Sequence, residues 1–323
     1  MRVDALSGTD AGGRPSPVSD VVCALGEGPT WDADAGVVRW VDIDRGVLYE
    51  APVTGEGVGP TRTVLAVDGT LGAAVHAEGG GFLLAAARHL EHRDASGATV
   101  ATWELIPEGQ PRRLNDGACD PAGRYVVGSL LVGGAPGDEQ LWRLEHDGTV
   151  TVLDEGLTLS NGIAWSPDGQ VMYHVDTRRN RVYARSYDPS TNYVGLPCVL
   201  IDTGEAWPDG LTVDSTGDLW VAMWAEGEVR CYAPDGTQRD VLHTGVSLTT
   251  SCAFVGPKLD LLVVTSAAGE GSPVSPHADA VDGRLLAVRT PIAGLRTRAW
   301  RPCARDSRPT RPDRRRPAAH KEE

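Results

Sequence analysis

One pattern recurs along the chain at nearly even intervals. A short apolar segment runs into a turn containing Asp or Gly, and an alternating apolar strand follows. Its copies are "TWDADAGVVRWVDI", "VHAEGGGFLLAAA", "CDPAGRYVVGSL", "WSPDGQVMYHVDT", "VDSTGDLWVAMW" and "FVGPKLDLLVVTSA". The residues heading each second strand are Gly36, Gly81, Gly123, Gly169, Gly217 and Asp260, spaced 45, 42, 46, 48 and 43 apart. Such a period is that of propeller blades. Each interval holds enough short runs for four strands; "CYAPDGTQRDVLHTG" reads as two strands around an Asp-Gly turn. Helical 3.6-residue periodicity is nearly absent. The sequence predicts an all-β, six-bladed β-propeller with a central channel, whose radial repetition leaves few exposed sheet edges. A pair of β-sandwiches fits the even spacing less well.

A propeller must close its ring, and the apolar segment "VSDVVCALG", Val18 to Gly26, is the expected closing strand of the sixth blade. Residues 18–298 are then the propeller and residues 1–17 a flexible N-terminal segment. Residues 299–323 are Arg- and Pro-rich, with eight basic and four acidic residues from Arg301 onward, and are expected to be a disordered tail.

The 323 residues are 41% hydrophobic and carry a formal net charge of −14, which argues against nucleic acid as the main partner. No run approaches the ~18 apolar residues of a membrane span. The N-terminus lacks the apolar core of a secretory signal, so a cytoplasmic location is expected. The six cysteines form no C-x-x-C pair and read as free thiols.

In a propeller the first strand of each blade lines the channel, so the same repeat position in every blade points to the same place. Counting back eight or nine residues from each turn marker selects Glu27, Gly72, Asn115, Asn161, Asp209 and Ser251. Glu27, Asn161 and Asp209 offer two carboxylates and an amide carbonyl, which suit a hard divalent cation. Asn115 could face either metal or substrate. The bland reading of Asn161-Gly162 and Asp209-Gly210 is that they only turn the chain.

These same residues lie in motifs. "LGEGPTWD", "RLNDGACDPAGRYVVGS", "LSNGIAWSPDG", "WPDGLTVDSTGDLWVA" and "TSCAFVGP", in this order, resemble the SMP-30/gluconolactonase/regucalcin-like family over about residues 18 to 298. The resemblance implies a six-bladed propeller with one divalent metal in the channel and hydrolysis of sugar lactones. It places metal ligands at Glu27, Asn161 and Asp209, with Asp209 also the proposed acid/base. It places substrate contacts at Arg113 and Asn115, with Asp116 adjacent. Some members carry a substrate-contacting Glu where this chain has Gly133, so sugar specificity is open. The oxygen ligands favour Ca²⁺, with Mg²⁺, Mn²⁺ or Zn²⁺ as alternatives.

The expected partner is a small sugar lactone, with no nucleic acid and no membrane. A promiscuous esterase or organophosphate hydrolase, and a calcium- or ligand-binding propeller without catalysis, are the competing readings. There is no G-x-S-x-G elbow. His89 and His92 of "HLEH" face opposite sides of a strand and do not suggest a metal pair. The tryptophans sit in or beside strands as core residues by default. Trp207 and Trp224 are the two placed to flank the channel mouth and touch a sugar face.

Overall fold

The computed structural model describes residues 13–133, 137–268 and 281–302. They form six antiparallel sheets in a ring. The innermost strands are Gly26–Asp32, Leu71–His76, Arg112–Cys119, Ser160–Trp165, Trp207–Val213 and Thr249–Val255. Each packs against the next, and the sixth packs against the first, so the ring is closed. The six-bladed propeller expected from the repeat is observed.

The apolar runs within the blades are explained by burial on both faces. In the sixth blade Leu261 and Val263 pack toward the first blade, while Leu262 and Val264 pack toward the fifth. In the third, Tyr125 and Val127 face the second blade and Val126 faces the fourth. Each blade-to-blade junction therefore holds its own apolar cluster, and six clusters encircle the channel. The middle strands consequently lack the in-out polarity of a sheet with one wet face.

The turn markers also have a physical basis. Gly36, Gly81, Gly123, Gly169 and Gly217 all have positive φ, where glycine is at no disadvantage. At the third blade, the Asp120 carboxylate accepts the amides of Ala122 and Arg124, both at 2.9 Å, and so closes the turn. In the sixth blade the left-handed residue is Leu259, one position before the expected Asp260.

Ring closure differs from the expectation. The closing strand is Ser16–Pro17, paired with Leu286–Arg289 through Ser16 opposite Ala287 and Pro17 opposite Leu286. Val18 to Ala24 carries no strand; Cys23 is buried at the junction of blades six and one, and its amide donates to Gly283 O at 2.7 Å. Proline is tolerated here because an outer edge strand does not need its N–H. The propeller thus begins before residue 18, and the flexible segment assigned to residues 1–17 is corrected at its end; residues 1–12 lie outside the described residues.

The boundary assigned at residue 298 is corrected too. The segment 290–302 crosses the ring at the turn end of the inner strands. It is tied in turn to the sixth, fifth, first, second and third blades. Gly294 N donates to Leu259 O at 2.8 Å, Ser215 N to Ala293 O at 2.9 Å, Trp31 N to Thr297 Oγ1 at 3.3 Å, and Arg301 N to Gly123 O at 2.8 Å. Trp300 bonds the second blade through His76 O and Glu78 N. Its indole is 2% exposed and meets the edges of His92 and Trp103 in the cluster between blades two and three. Apolar and aromatic content, not the surrounding Arg and Pro, decides where this segment sits. Residues 303–323 of the expected tail lie outside the described residues.

Removing Trp300 should therefore destabilise the propeller. Truncation after Ala299, or Trp300→Ala, is expected to cost roughly 3–5 kcal/mol, as for other buried aromatic deletions. Truncation after Pro302 keeps the indole and serves as the control. Chemical denaturation of the three variants is the measurement; equal midpoints for all would show that the strap contributes nothing.

Candidate active site

Each selected channel residue lies near the start of an innermost strand. In every blade the pairing with the second strand breaks register there. The breaks fall between Glu27 and Thr30, Leu71 and Ala73, Leu114 and Gly117, Ser160 and Ile163, Pro208 and Leu211, and Thr249 and Ser251. A bulge re-aims the side chain it carries, so one irregularity repeated six times gathers residues far apart in sequence.

The glycines that follow are not turn residues in the fourth and fifth blades. Gly162 and Gly210 lie inside strands, and neither has positive φ. A Cβ on Gly162 would stand 2.6 Å from Asp209 O and 2.7 Å from Leu211 N. One on Gly72 would stand 2.6 Å from Leu114 O. Glycine is required because adjacent inner strands approach this closely around the axis. The Asn-Gly pair is therefore a packing device, not a turn.

Glu27, Asn115, Asn161 and Asp209 are all buried, at 5–6% exposure. The Asn115 amide donates to Ser160 O at 2.9 Å and to Asn161 Oδ1 at 3.3 Å. Asn161 in turn donates to Thr177 Oγ1 at 3.1 Å. Arg113 Nη1 donates to Asn115 Oδ1 at 2.7 Å and to Leu114 O at 3.0 Å. Glu27 Oε2 accepts the Gly28 amide at 2.9 Å, and Asp116 Oδ1 accepts the Gly117 amide at 2.7 Å. Asp209 Oδ1 is buried with no hydrogen-bond partner among the described residues. Asn115, Asn161 and Arg113 thus form one network.

Three acids share this space. Burial first, and then the Asp116 charge, push Glu27 up to about 8. Burial raises Asp116 to about 6. Burial, Glu27 and Asp116 together hold Asp209 well above the usual carboxylate range. Arg113 opposes the rise of Glu27 and Asp209, while its own burial lowers it. Asp116 is half-buried and lines a cavity of about 320 Å³ that reaches the Leu295–Arg298 stretch of the strap. It belongs to the acid cluster as well as to the channel wall, which its adjacency to Asn115 had not disclosed.

The donor types fit a hard cation: the Glu27 and Asp209 carboxylates, with one Asp209 oxygen unpartnered, and the Asn161 amide carbonyl. No group of three or more His, Cys, Asp and Glu side chains is arranged to hold a metal among the described residues. The central metal site expected from the sequence is thus not itself visible. Asn161, the third expected ligand, is an amide outside that residue set.

Several supporting residues had no sequence signal. Ser160 Oγ meets His174 Nε2 at 2.8 Å behind the Asn115 contact, and both residues are fully buried. Thr177 opens a short 3-10 turn that no repeat position marks. His92 is buried beside Trp300. Gly133 has positive φ and open space where a Cβ would stand.

The acid cluster predicts an unusual pH dependence. Glu27 rises from an ordinary 4.5 to about 8, so the folded chain holds a proton that the unfolded chain releases. The native state then binds more protons across that window, and its stability falls as pH rises. Melting temperatures of chelator-treated protein should fall from about pH 5 to about pH 8 on this account, and Glu27→Gln should flatten the slope. A melting temperature that climbs through this range, equally in both proteins, would count against the cluster.

The comparisons with known proteins agree with this architecture. The chain is 35% identical over 269 residues to pentonolactonase XacC of Haloferax volcanii, covering 82% of this chain and 89% of that protein. It is 30% identical over 294 residues to L-arabinolactonase of Azospirillum brasilense, covering 88% of this chain and 95% of that one. A crystal structure of a calcium-binding protein, regucalcin, from Agrobacterium tumefaciens superimposes with a TM-score of 0.81 at 28% identity, over 88% of this chain and 96% of that one. The family model described as SMP-30/Gluconolactonase/LRE-like region matches residues 25–268. With the propeller and its five motifs already in place, the chain belongs to the SMP-30/gluconolactonase/LRE-like family.

Proposed function

We propose that the protein is a sugar lactonase that works at the channel mouth. Glu27, Asn161 and Asp209 hold one divalent cation, and Arg113, Asn115 and Asp116 surround the substrate. The observation that carries this reading is Asp209 Oδ1, buried and unpartnered beside Glu27 and Asp116. A buried carboxylate with one unpartnered oxygen among like charges is costly unless a cation or a reacting proton uses it. The names of two relatives, a pentonolactonase and an L-arabinolactonase, supply the substrate class. Oxygen donors favour Ca²⁺, and the structural neighbour is named as a calcium-binding protein.

Hydrolysis joins a water oxygen to the lactone carbonyl carbon. The bond from that carbon to the ring oxygen breaks, and a hydroxy acid results. When bound, the cation supplies Lewis-acid polarisation of the carbonyl and acidifies water. Ionised Asp209 takes the proton of the attacking water and returns it to the departing ring oxygen. Arg113 stabilises negative charge developing on the carbonyl oxygen. Asn115 holds a ring hydroxyl, its own amide being fixed by Ser160 and Arg113. Gly133 leaves the rim of the third blade without the carboxylate that some family members carry there.

Metal titration by calorimetry beside lactone kinetics tests these roles. Glu27→Gln, Asn161→Ala and Asp209→Asn should weaken cation binding and lower turnover. Asp209→Asn should stay ~10²–10⁴-fold impaired at saturating metal, the usual loss for a general base. Asn115→Ala and Arg113→Ala should keep cation affinity and lose kcat/KM. If saturating metal restores Asp209→Asn fully, Asp209 is a ligand only. If Asn115→Ala loses the cation as completely as Asn161→Ala, the site has four ligands. A panel of aldonolactones, aryl esters and phosphotriesters separates the lactonase from a general esterase, and silence on all three leaves a binding protein.

A further inference from the structure

Trp207 is the only tryptophan of the chain's nine that is exposed, at 47%. Six others are 8% exposed or less, and Trp103 and Trp224 are half-buried. An aromatic ring left in water at the start of a channel-lining strand forgoes the apolar burial that the other indoles obtain. It opens the innermost strand of the fifth blade, two residues before Asp209, with its Cα opposite that of Trp224.

The blade repeat locates it further. Position for position, Trp207 precedes Asp209 as Arg113 precedes Asn115. Arg113 shows which way that position can reach, because its guanidinium lies 2.7 Å from Asn115 Oδ1. Both side chains rise from inner strands immediately before a register break. The backbone under Trp207 is held firmly. Ala206 O accepts the Asn180 amide at 2.9 Å and the Thr203 hydroxyl at 2.6 Å, and Ala206 itself is buried. Pro208 disfavours helical backbone at the residue before it and so biases Trp207 to extended backbone. In the third blade, past the strand Tyr125–Leu131, Gly133 offers no side chain.

We infer that Trp207 is a specificity-determining residue that forms an aromatic platform for the C–H face of a sugar ring. Resting on the lactonase reading, the inference places the sugar between a polar side, Arg113 and Asn115, and a flat apolar side, Trp207. Hydroxyls on one ring face meet the hydrogen-bonding groups, and the opposite face stacks on the indole. A ring with polar groups on both faces is disfavoured, since stacking would strand a hydroxyl over the π system. Selection thus comes from the fifth-blade rim and compensates for the bare third-blade rim.

The test compares wild type with Trp207→Ala, Trp207→Leu and Trp207→Phe on glucono-1,5-lactone and arabinono-1,4-lactone. Trp207→Ala and Trp207→Leu should raise KM roughly 3- to 10-fold, the scale of one aromatic contact. Turnover number, melting temperature and calcium affinity should stay near wild type. Trp207→Phe should recover most of the lost KM, which mere bulk in Leu does not. Unchanged KM in Trp207→Ala for both lactones would overturn the platform while leaving the lactonase reading intact. Calorimetric titration with gluconate and arabinonate probes the platform without turnover. A wild type that turns over neither lactone but binds an aldonate more tightly than Trp207→Ala would retain the platform and sink the lactonase reading. A wild type that does neither overturns both.

Discussion

The structure depends on packing between blades. Each middle strand is buried on both faces, so each blade has a neighbour it cannot do without. Six apolar clusters in a closed ring leave no free sheet face, and closure forces the innermost strands together around one axis. That crowding explains the glycines. Gly72 and Gly162 stand where a Cβ would overlap the backbone of the next blade. The bulges answer a related need, since a regular ladder could not aim one residue per blade along the axis.

Such a frame can hold a site that would be unstable alone. Burial raises the proton affinity of Glu27, Asp116 and Asp209; Asp116 raises Glu27 further, and both raise Asp209. One nearby guanidinium, Arg113, does not neutralise them. The strain is offset by the apolar ring rather than relieved within the cluster, as functional sites often require. It also leaves the cluster sensitive to protons. The Asn115, Asn161 and Thr177 contacts keep the amides fixed while charge changes beside them.

The ring has two fasteners that the repeat does not contain. Ser16–Pro17 completes the sixth blade from the other end of the chain. The strap from Thr290 to Pro302 then crosses the turn end, and Trp300 anchors it between the second and third blades. Residues Leu295–Arg298 line the cavity below the acid cluster. The strap therefore covers the turn end of the inner strands, while Trp207 is exposed at the start of its strand.

Much of this was legible in one dimension. The even spacing of Gly36, Gly81, Gly123, Gly169 and Gly217 reflects a local turn that each blade must make. Local requirements are written locally, so blade number, strand order and the register of Glu27, Asn115, Asn161 and Asp209 could all be read. The motifs around those residues also placed the chain in its family. Other features are set by contacts between distant segments. No neighbour of Trp300 in sequence says that His76 and Glu78 will hold it, so its place in the core was missed and the propeller's end set too early. Val18 to Gly26 looked like a strand because it is apolar, yet the closing edge went to Ser16–Pro17. Asp116 was expected beside Asn115 among the substrate contacts, and only the ring shows its charge acting on Glu27 and Asp209. The need for glycine at 162 could not be read locally, because its clash lies with a strand about fifty residues away. Sequence by itself determined what repeats; the tertiary structure alone decided what closes the ring and which buried charges face one another, because those depend on distances across the axis that no local pattern encodes.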